Sequence, residues 1–310
     1  MDARAVTAML PARSVRLAAA CYPVEALAGW DSLADKLGGW IADAAREGAE
    51  IAVLPEYAGL EAAFALSRET TTAGWCEASA AAAGRYAALC ATLAHDHRLT
   101  LLAGSLPARA HGRLVNRAFL CRPDGQVIAQ DKQILTPWER AETPLAPGVP
   151  LIAVDTGLGR LATLVCYDSE FPPLARALVP DILLIPSCTE APAGDARVRA
   201  AARARALEGQ CVTVHAPLTG AVRACEIVDA NTGAAGIFGP PDRHFPDDGV
   251  LALGETDRPG WVVADLPEGA LSATRTEGAV APRAHMKEAE ARAAEATLRP
   301  VGRPGPQLGP

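Results

Sequence analysis

The chain has 310 residues, enough to bury a substantial core in one large domain or two small ones. Apolar residues make up 50% of it and charged residues 21%, which is typical of a globular enzyme. The formal net charge of −7 disfavours nucleic acids and anionic membranes as partners, and no run reaches the roughly 18 apolar residues of a membrane span.

The N-terminal segment and the cysteines both bear on the cellular compartment. Residues 1–17 contain charged side chains and no continuous apolar stretch, so we expect no secretory signal. The eight cysteines are scattered without CxxC pairs, and we predict that most are small buried hydrophobic residues. These features favour a reducing compartment, with the cytoplasm as the default location.

In chain order, apolar β-runs alternate with segments of helical period through the first half. We predict strands at 15–20, 50–54 and 99–103 and helices at 30–46 and 77–97. Two β-hairpins follow, because a Pro-Asp-Gly turn separates 114–121 from 126–130 and a Gly-containing turn separates 151–155 from 160–166.

The alternation resumes in the second half. We predict helices at 172–178 and 196–208 and strands at 181–185, 210–215, 224–228, 233–238, 250–253 and 261–265. Helices interleaved with strands and hairpins favour an α/β domain with a mixed sheet system. No linker divides the chain, so we predict one domain over residues 1–281. Residues 282–310 form a tail, partly helical or disordered, that could lie across a partner subunit.

Three β-runs end at residues that could carry out catalysis together. The first delivers Glu56 after Leu54-Pro55, the second leads to Lys132, and the third ends at Cys166 before a polar turn. A thiol is mostly protonated at neutral pH, because its pKa is about 8.5, so it needs a base or a cation before it attacks carbon. A carboxylate and an ammonium supply both.

At these residues the sequence resembles the nitrilase (carbon–nitrogen hydrolase) superfamily, in its amidase-like branch. Leu54-Pro55-Glu56, Asp131-Lys132 and Cys166-Tyr167-Asp168 match its three signatures in order and spacing, and the flanks Asn116-Arg117-Ala118 and Pro186-Ser187 also fit. The resemblance spans roughly residues 15–265. It implies a four-layer α-β-β-α sandwich with mixed β-sheets, no cofactor or metal, and a homodimer or larger homo-oligomer.

The resemblance also implies a role for each site residue. Cys166 is the nucleophile, and Glu56 is the general base, with a pKa raised by burial behind its strand. Lys132 and the backbone N–H of Tyr167 stabilise the oxyanion. Glu139, seven residues after Lys132, orients the lysine or the substrate and assists acid–base steps.

Substrate-facing positions are expected after the strand at 181–185, at Ser187, Cys188, Thr189 and Glu190. An inward Glu190 would favour an amine or another cationic group on the substrate, whereas an outward Glu190 would be an ordinary surface carboxylate. We interpret Glu61 as a surface loop carboxylate. His95, at a helix end, is interpreted as a capping residue and not a metal ligand.

The leading hypothesis is thiol-dependent hydrolysis of a small amide or carbamoyl amine, through a thioester on cysteine, to a carboxylic acid plus ammonia or an amine. One alternative is a nitrilase that converts a nitrile to acid and ammonia. An alternative of another class is a non-catalytic binding protein that keeps the fold. The intact set of Glu56, Lys132 and Cys166 favours an enzyme.

Overall fold

The computed structural model describes residues 13–149 and 151–297, and strands alternate with helices through both ranges. The strands are β1 (Val15–Val24), β2 (Ile51–Leu54), β3 (Thr100–Ala110), β4 (Arg113–Cys121), β5 (Val127–Asp131), β6 (Ala153–Thr156), β7 (Gly159–Thr163), β8 (Ile182–Ser187), β9 (Val212–Gly220), β10 (Gly236–Phe238), β11 (Val250–Leu253) and β12 (Gly260–Leu266). The helices are α1 (Trp30–Arg46), α2 (Leu60–Leu66), α3 (Thr72–Asp96), α4 (Pro137–Glu142), α5 (Pro172–Leu178), α6 (Pro192–Gly209), α7 (Ala270–Glu277) and α8 (Pro282–Ala294).

The strands form a mixed sheet system in the order β5-β4-β3-β2-β1-β9-β8-β7-β6. β1 and β9 join its two halves through parallel pairing of Tyr22–Val24 with Leu218–Gly220. The pairs β1–β2, β2–β3, β7–β8 and β8–β9 are also parallel, whereas β4–β5 and β6–β7 are the two predicted antiparallel hairpins. Parallel pairing matters for function because it aligns the carboxyl ends of neighbouring strands at one edge.

Alternation along β1 separates two hydrophobic cores, because successive side chains point to opposite faces of a strand. Ala18 and Ala20 pack with residues of α1 and α3 in the first core. Leu17 and Ala19 pack with β7, β8 and α6 in the second. Each half of the sheet system is thus covered by helices on its outer side, which confirms the predicted α-β-β-α layering.

Local sequence explains how individual elements form. Helix α1 buries Leu33, Leu37 and Ile41 at intervals of four residues, the spacing of one helical face. The β4–β5 turn closes because the Asp124 carboxylate accepts the Gln126 N–H at 3.1 Å. This turn sets the register that brings Lys132 to the end of β5.

One predicted strand is replaced by turns, and the predicted tail lies partly outside the residues that the structure describes. Residues 224–228, predicted as a strand, form turns in which the N–H of Cys225 bonds to the carbonyl of Val222. Helix α8 lies within the predicted tail, and Arg283 donates from it to the carbonyls of Pro180 and Gly209. Residues 298–310 lie outside the described ranges. No helix within those ranges is both long and apolar enough to cross a membrane.

Glu61 was expected on the surface, and that expectation is wrong. The side chain is fully buried at the start of α2, where it accepts hydrogen bonds from the Tyr22 hydroxyl at 2.6 Å and the Glu25 N–H at 2.8 Å. The Lys36 ammonium lies 2.7 Å from the same carboxylate. Burial raises the pKa of Glu61, and the Lys36 charge opposes that rise. The cluster joins β1, α1 and α2.

Substitution of Lys36 by methionine is expected to lower the free energy of unfolding by about 3–5 kcal/mol, because it leaves the buried Glu61 without its cation. Urea-induced unfolding near neutral pH measures the change. Glu25→Gln is the matched control, since Glu25 pairs with the same ammonium at 2.7 Å but is 57% exposed. Its loss should stay below about 1 kcal/mol. Equal losses in the two variants would contradict the assignment.

Candidate active site

The four predicted catalytic side chains meet at the base of one cavity of about 420 Å³. Glu56 follows β2, Lys132 follows β5, and Cys166 begins a short 3-10 turn (Cys166–Glu170) after β7. Glu139 enters from α4, whose N-terminus is fixed by a capping box with Thr136. Residues distant in sequence are therefore brought together by the aligned ends of the strands.

Lys132 is the centre of this arrangement. Its ammonium lies 2.8 Å from Glu56 and 2.8 Å from Glu139, and all three side chains are at most 3% exposed. Asn116 donates its amide to Glu56 Oε1 at 2.9 Å, and the Tyr57 hydroxyl donates to Glu139 Oε1 at 2.6 Å. Every carboxylate is thus held by the ammonium and by at least one further donor.

The two carboxylates that share this cation have pKa values shifted in opposite directions. Burial raises the pKa of Glu56, and the negative charge of Glu139 raises it further against the Lys132 charge. Burial also opposes ionisation of Glu139, but Lys132 and the donors Tyr57 and Thr136 lower its pKa below the ordinary value. Burial acts against the Lys132 ammonium, yet the two carboxylates raise its pKa well above normal. Glu56 is therefore the better proton acceptor of the pair.

Cys166 sits in a backbone conformation that presents its side chain to the cavity. Its φ of 49° lies in the left-handed region, which non-glycine residues adopt at some energetic cost. Burial, followed by the charge of Glu56, raises the pKa of the thiol well above its usual value. The resting sulfur is a thiol that needs a base. Tyr167 occupies the first turn of the 3-10 segment, where a backbone N–H has no intrahelical acceptor.

The peptide of Cys188 contacts both Glu56 and Cys166. Its N–H donates to Glu56 Oε2 at 3.0 Å, and its carbonyl accepts from Cys166 Sγ at 3.6 Å. Sequence reasoning assigned no role to this peptide, to Asn116 or to Tyr57. The only sequence signals were their positions beside the motifs, because backbone and amide donors have no composition signature of their own.

Ser187 does not line the cavity, so its predicted contact with substrate is wrong. The side chain is 1% exposed and lies on the opposite face of β8, with Oγ 2.7 Å from His215 Nε2. Thr189 does line the cavity, while its hydroxyl donates to the Thr232 carbonyl at 2.9 Å. Glu190 also lines it and is exposed to solvent.

The mouth of the cavity is acidic. Four carboxylates line it, those of Glu170, Glu190, Glu226 and Asp229. Arg197 is the cation at the same rim, 3.5 Å from Glu170. Glu226 belongs to the turn segment 224–228 that was predicted as a strand, and Asp229 follows it directly, so sequence reasoning missed this wall of the cavity.

Within residues 13–149 and 151–297 there is no group of three or more His, Cys, Asp or Glu side chains that could hold a metal ion. His95, interpreted from sequence as a capping residue, has its Nδ1 2.9 Å from the carbonyl of Pro123. The eight cysteines, which all lie in the described ranges, are free thiols.

Comparison with known proteins agrees with this geometry. The sequence matches the carbon-nitrogen hydrolase family over residues 16–247. It is 33% identical to the probable hydrolase YhcX of Bacillus subtilis over 198 residues, 63% of this chain but only 39% of that protein. It is 29% identical to the deaminated glutathione amidase of Synechocystis over 251 residues, 76% of this chain and 85% of that protein.

Among solved structures, a variant of the amidase from Nesterenkonia sp. AN1 superposes with a TM-score of 0.63 at 22% identity, covering 91% of this chain and 98% of that one. The fold and the matched segment define a hydrolase-type α-β-β-α sandwich. The chain belongs to the carbon–nitrogen hydrolase family. The prediction of a hydrolase is thereby confirmed at the level of the family.

The buried His215 behind the site predicts a loss of stability in acid. Burial, with a smaller effect of the Arg199 charge, lowers its pKa to about 3, whereas an unfolded histidine titrates near about 6.5. The unfolded state therefore binds the proton first, so stability is complete above pH ~6.5 and falls as the pH drops toward 3. By pH 5 the loss from this residue is about 2 kcal/mol.

Chemical denaturation at pH 8 and pH 5 tests this expectation. His215→Asn can keep a hydrogen bond to Ser187 and should remove about 2 kcal/mol of the difference in unfolding free energy between the two pH values. His111→Asn, at an exposed position, is the control and should leave that difference unchanged. An unchanged difference in His215→Asn would show that the histidine is not held neutral by burial.

Proposed function

We propose that the protein hydrolyses a non-peptide carbon–nitrogen bond of a small amide or carbamoyl amine through a thioester on Cys166. The observation that carries this proposal is the buried Glu56–Lys132–Glu139 set, which lies with Cys166 at the base of one cavity. Two relatives support it. One is a deaminated glutathione amidase, and the other is an amidase with an acetamide moiety added covalently at its active-site cysteine.

The first step forms the tetrahedral intermediate. Glu56, whose pKa is raised by burial, accepts the proton of Cys166 as the sulfur attacks the carbonyl carbon. The carbonyl oxygen takes the negative charge and is stabilised by the Lys132 ammonium and the N–H of Tyr167. Glu139, with its lowered pKa, stays ionised and keeps the ammonium charged and in place.

The second stage breaks the carbon–nitrogen bond and regenerates the enzyme. As the intermediate collapses, Glu56 returns the proton to the leaving nitrogen, so that ammonia or an amine departs and a thioester remains. Water then loses a proton to Glu56 and attacks the thioester carbon. Collapse of this second intermediate releases the acid and passes the proton back to the sulfur of Cys166.

A nitrile is the second candidate substrate, because the segment Leu135-Thr136-Pro137-Trp138-Glu139-Arg140 is close to that of nitrile-hydrolysing members. Attack on a nitrile forms a thioimidate, and a first water converts it to the same tetrahedral stage. Both substrates therefore form the same carbon–sulfur bond first, and the nitrile differs in consuming one additional water before the shared tetrahedral stage. Ammonia release from a nitrile, with none from the matching amide, would favour this alternative.

Cys166→Ala is expected to lower ammonia release from a panel of small amides, carbamoyl amines and nitriles by at least about a thousandfold, because it removes the proposed nucleophile of the acyl-enzyme. Mass spectrometry of the wild type during turnover should show an acyl adduct on Cys166.

Cys188→Ala is the matched control for that experiment. Its thiol lines the same cavity, but its contacts with the base and the nucleophile come from the peptide, which the substitution keeps. Turnover should stay within about tenfold of the wild type. An adduct on Cys188, or full turnover in Cys166→Ala, would contradict the proposed nucleophile.

The acidic mouth favours substrates that carry a cationic group, with Glu190 and Thr189 among the residues in contact. Glu190→Lys reverses one charge at the rim and is expected to raise KM for a cationic amide about tenfold, with little change for a neutral amide of the same size. Glu47→Lys is the control, since Glu47 is exposed and does not line this cavity. An unchanged preference between the two amides in Glu190→Lys would remove the acidic rim from substrate selection.

A further inference from the structure

We propose that Asp168 is a positioning residue that fixes the Lys132 ammonium relative to the Cys166 sulfur. The inference rests on the proposed function, because it assigns a role in delivering the oxyanion donor to the nucleophile. Asp168 itself touches neither the lysine ammonium nor the thiol by any hydrogen bond among the described residues.

Asp168 joins two segments that carry catalytic side chains. It lies two residues after Cys166 in the 3-10 turn, and its own N–H bonds to the Val165 carbonyl at 3.0 Å. Its carboxylate accepts the N–H of Gln133 at 3.0 Å and that of Ile134 at 2.8 Å. These donors are the two residues directly after Lys132. One side chain thus ties the turn that bears Cys166 to the residues that follow Lys132.

The charge of Asp168 is held without an ion-pair partner. The side chain is 1% exposed, and no lysine or arginine of the described residues lies within ion-pair distance of it. Burial raises its pKa to about 6, against the opposing effects of the backbone donors Gln133 and Ile134 and, more weakly, of the Lys132 charge. A buried carboxylate that depends on backbone N–H groups is expensive, so its retention here calls for a role.

The backbone hydrogen bonds of Lys132 itself anchor it on one side only. The Lys132 N–H bonds to the Asn116 carbonyl at 2.8 Å, and its carbonyl accepts from Gly148 at 2.9 Å. Those bonds tie Lys132 to β4 and to the loop at residue 148. Among the described residues, the hydrogen bonds that link Gln133 and Ile134 to the turn that bears Cys166 are accepted by Asp168. Loss of this link would let the distance between ammonium and sulfur vary, and a misplacement of about 1 Å can cost about a hundredfold in rate.

Asp168→Asn tests the inference, because an asparagine of the same shape offers one acceptor oxygen and turns an N–H donor toward the second backbone N–H. We expect kcat to fall about 10- to 100-fold while KM stays within about threefold, since the cavity walls that bind substrate are unchanged. Cooperative thermal unfolding confirms that the variant is folded. If the asparagine variant does not fold, Asp168→Ser is used in its place, because serine also offers a single acceptor oxygen.

Asp181→Asn is the matched control. Asp181 is also a buried aspartate that accepts a backbone N–H, that of Arg160 at 2.8 Å, and it pairs with Arg275 away from the cavity. It should lose stability yet keep kcat within about threefold. A folded Asp168 variant with wild-type kcat, or equal kcat losses in both variants, would overturn the positioning role. Cys166→Ala separates the two proposals, because turnover in that variant would refute the proposed function itself.

Discussion

The active site depends on one ammonium that two buried carboxylates share. Removing three charges from water costs several kcal/mol per ion, and a single attraction does not recover that cost without further donors. The structure supplies them from Asn116, Tyr57 and the peptide of Cys188. The cluster keeps one negative charge in excess, and this excess falls on Glu56, whose pKa is raised. The arrangement sacrifices stability to create a base beside a fixed cation.

The nucleophile is adjusted to match that base. A thiol with a raised pKa is unreactive until its proton leaves. Glu56, a nearby carboxylate whose pKa is also raised, is the group that can take this proton. Lys132 acts in the opposite direction and favours the thiolate and the oxyanion alike. Under the proposed mechanism, the proton leaves the sulfur as the sulfur attacks the carbonyl carbon. A resting thiol is also less prone to adventitious oxidation than a thiolate.

Sequence alone predicted the features that depend on strand ends. It failed where tertiary packing decides whether a side chain is buried and which face of its element it lies on. Glu56, Lys132 and Cys166 follow apolar runs, and parallel pairing brings such ends together whatever the intervening sequence. Ser187 and Glu61 were misplaced because the side of β8 and the first turn of α2 that face the core are set by neighbouring layers. The segment around Cys225 was predicted as a strand because of its apolar residues. In the structure most of these residues are buried in turns, where they pack against the core and do not form a strand.

The buried cluster and the acidic mouth act over different ranges. Contacts of 2.8 Å in a site excluded from water are scarcely affected by salt, so they fix the chemistry. At the mouth, Glu190, Glu226 and Asp229 are exposed and Glu170 is half-buried, so these carboxylates act through solvent over longer distances, where salt screens them. Changes at Glu190 or Asp229 can therefore alter which molecules enter while the Glu56–Lys132 geometry persists. Because the loops around the cavity supply selectivity and the strand ends supply reactivity, one fold can serve many amides without rebuilding its base and nucleophile.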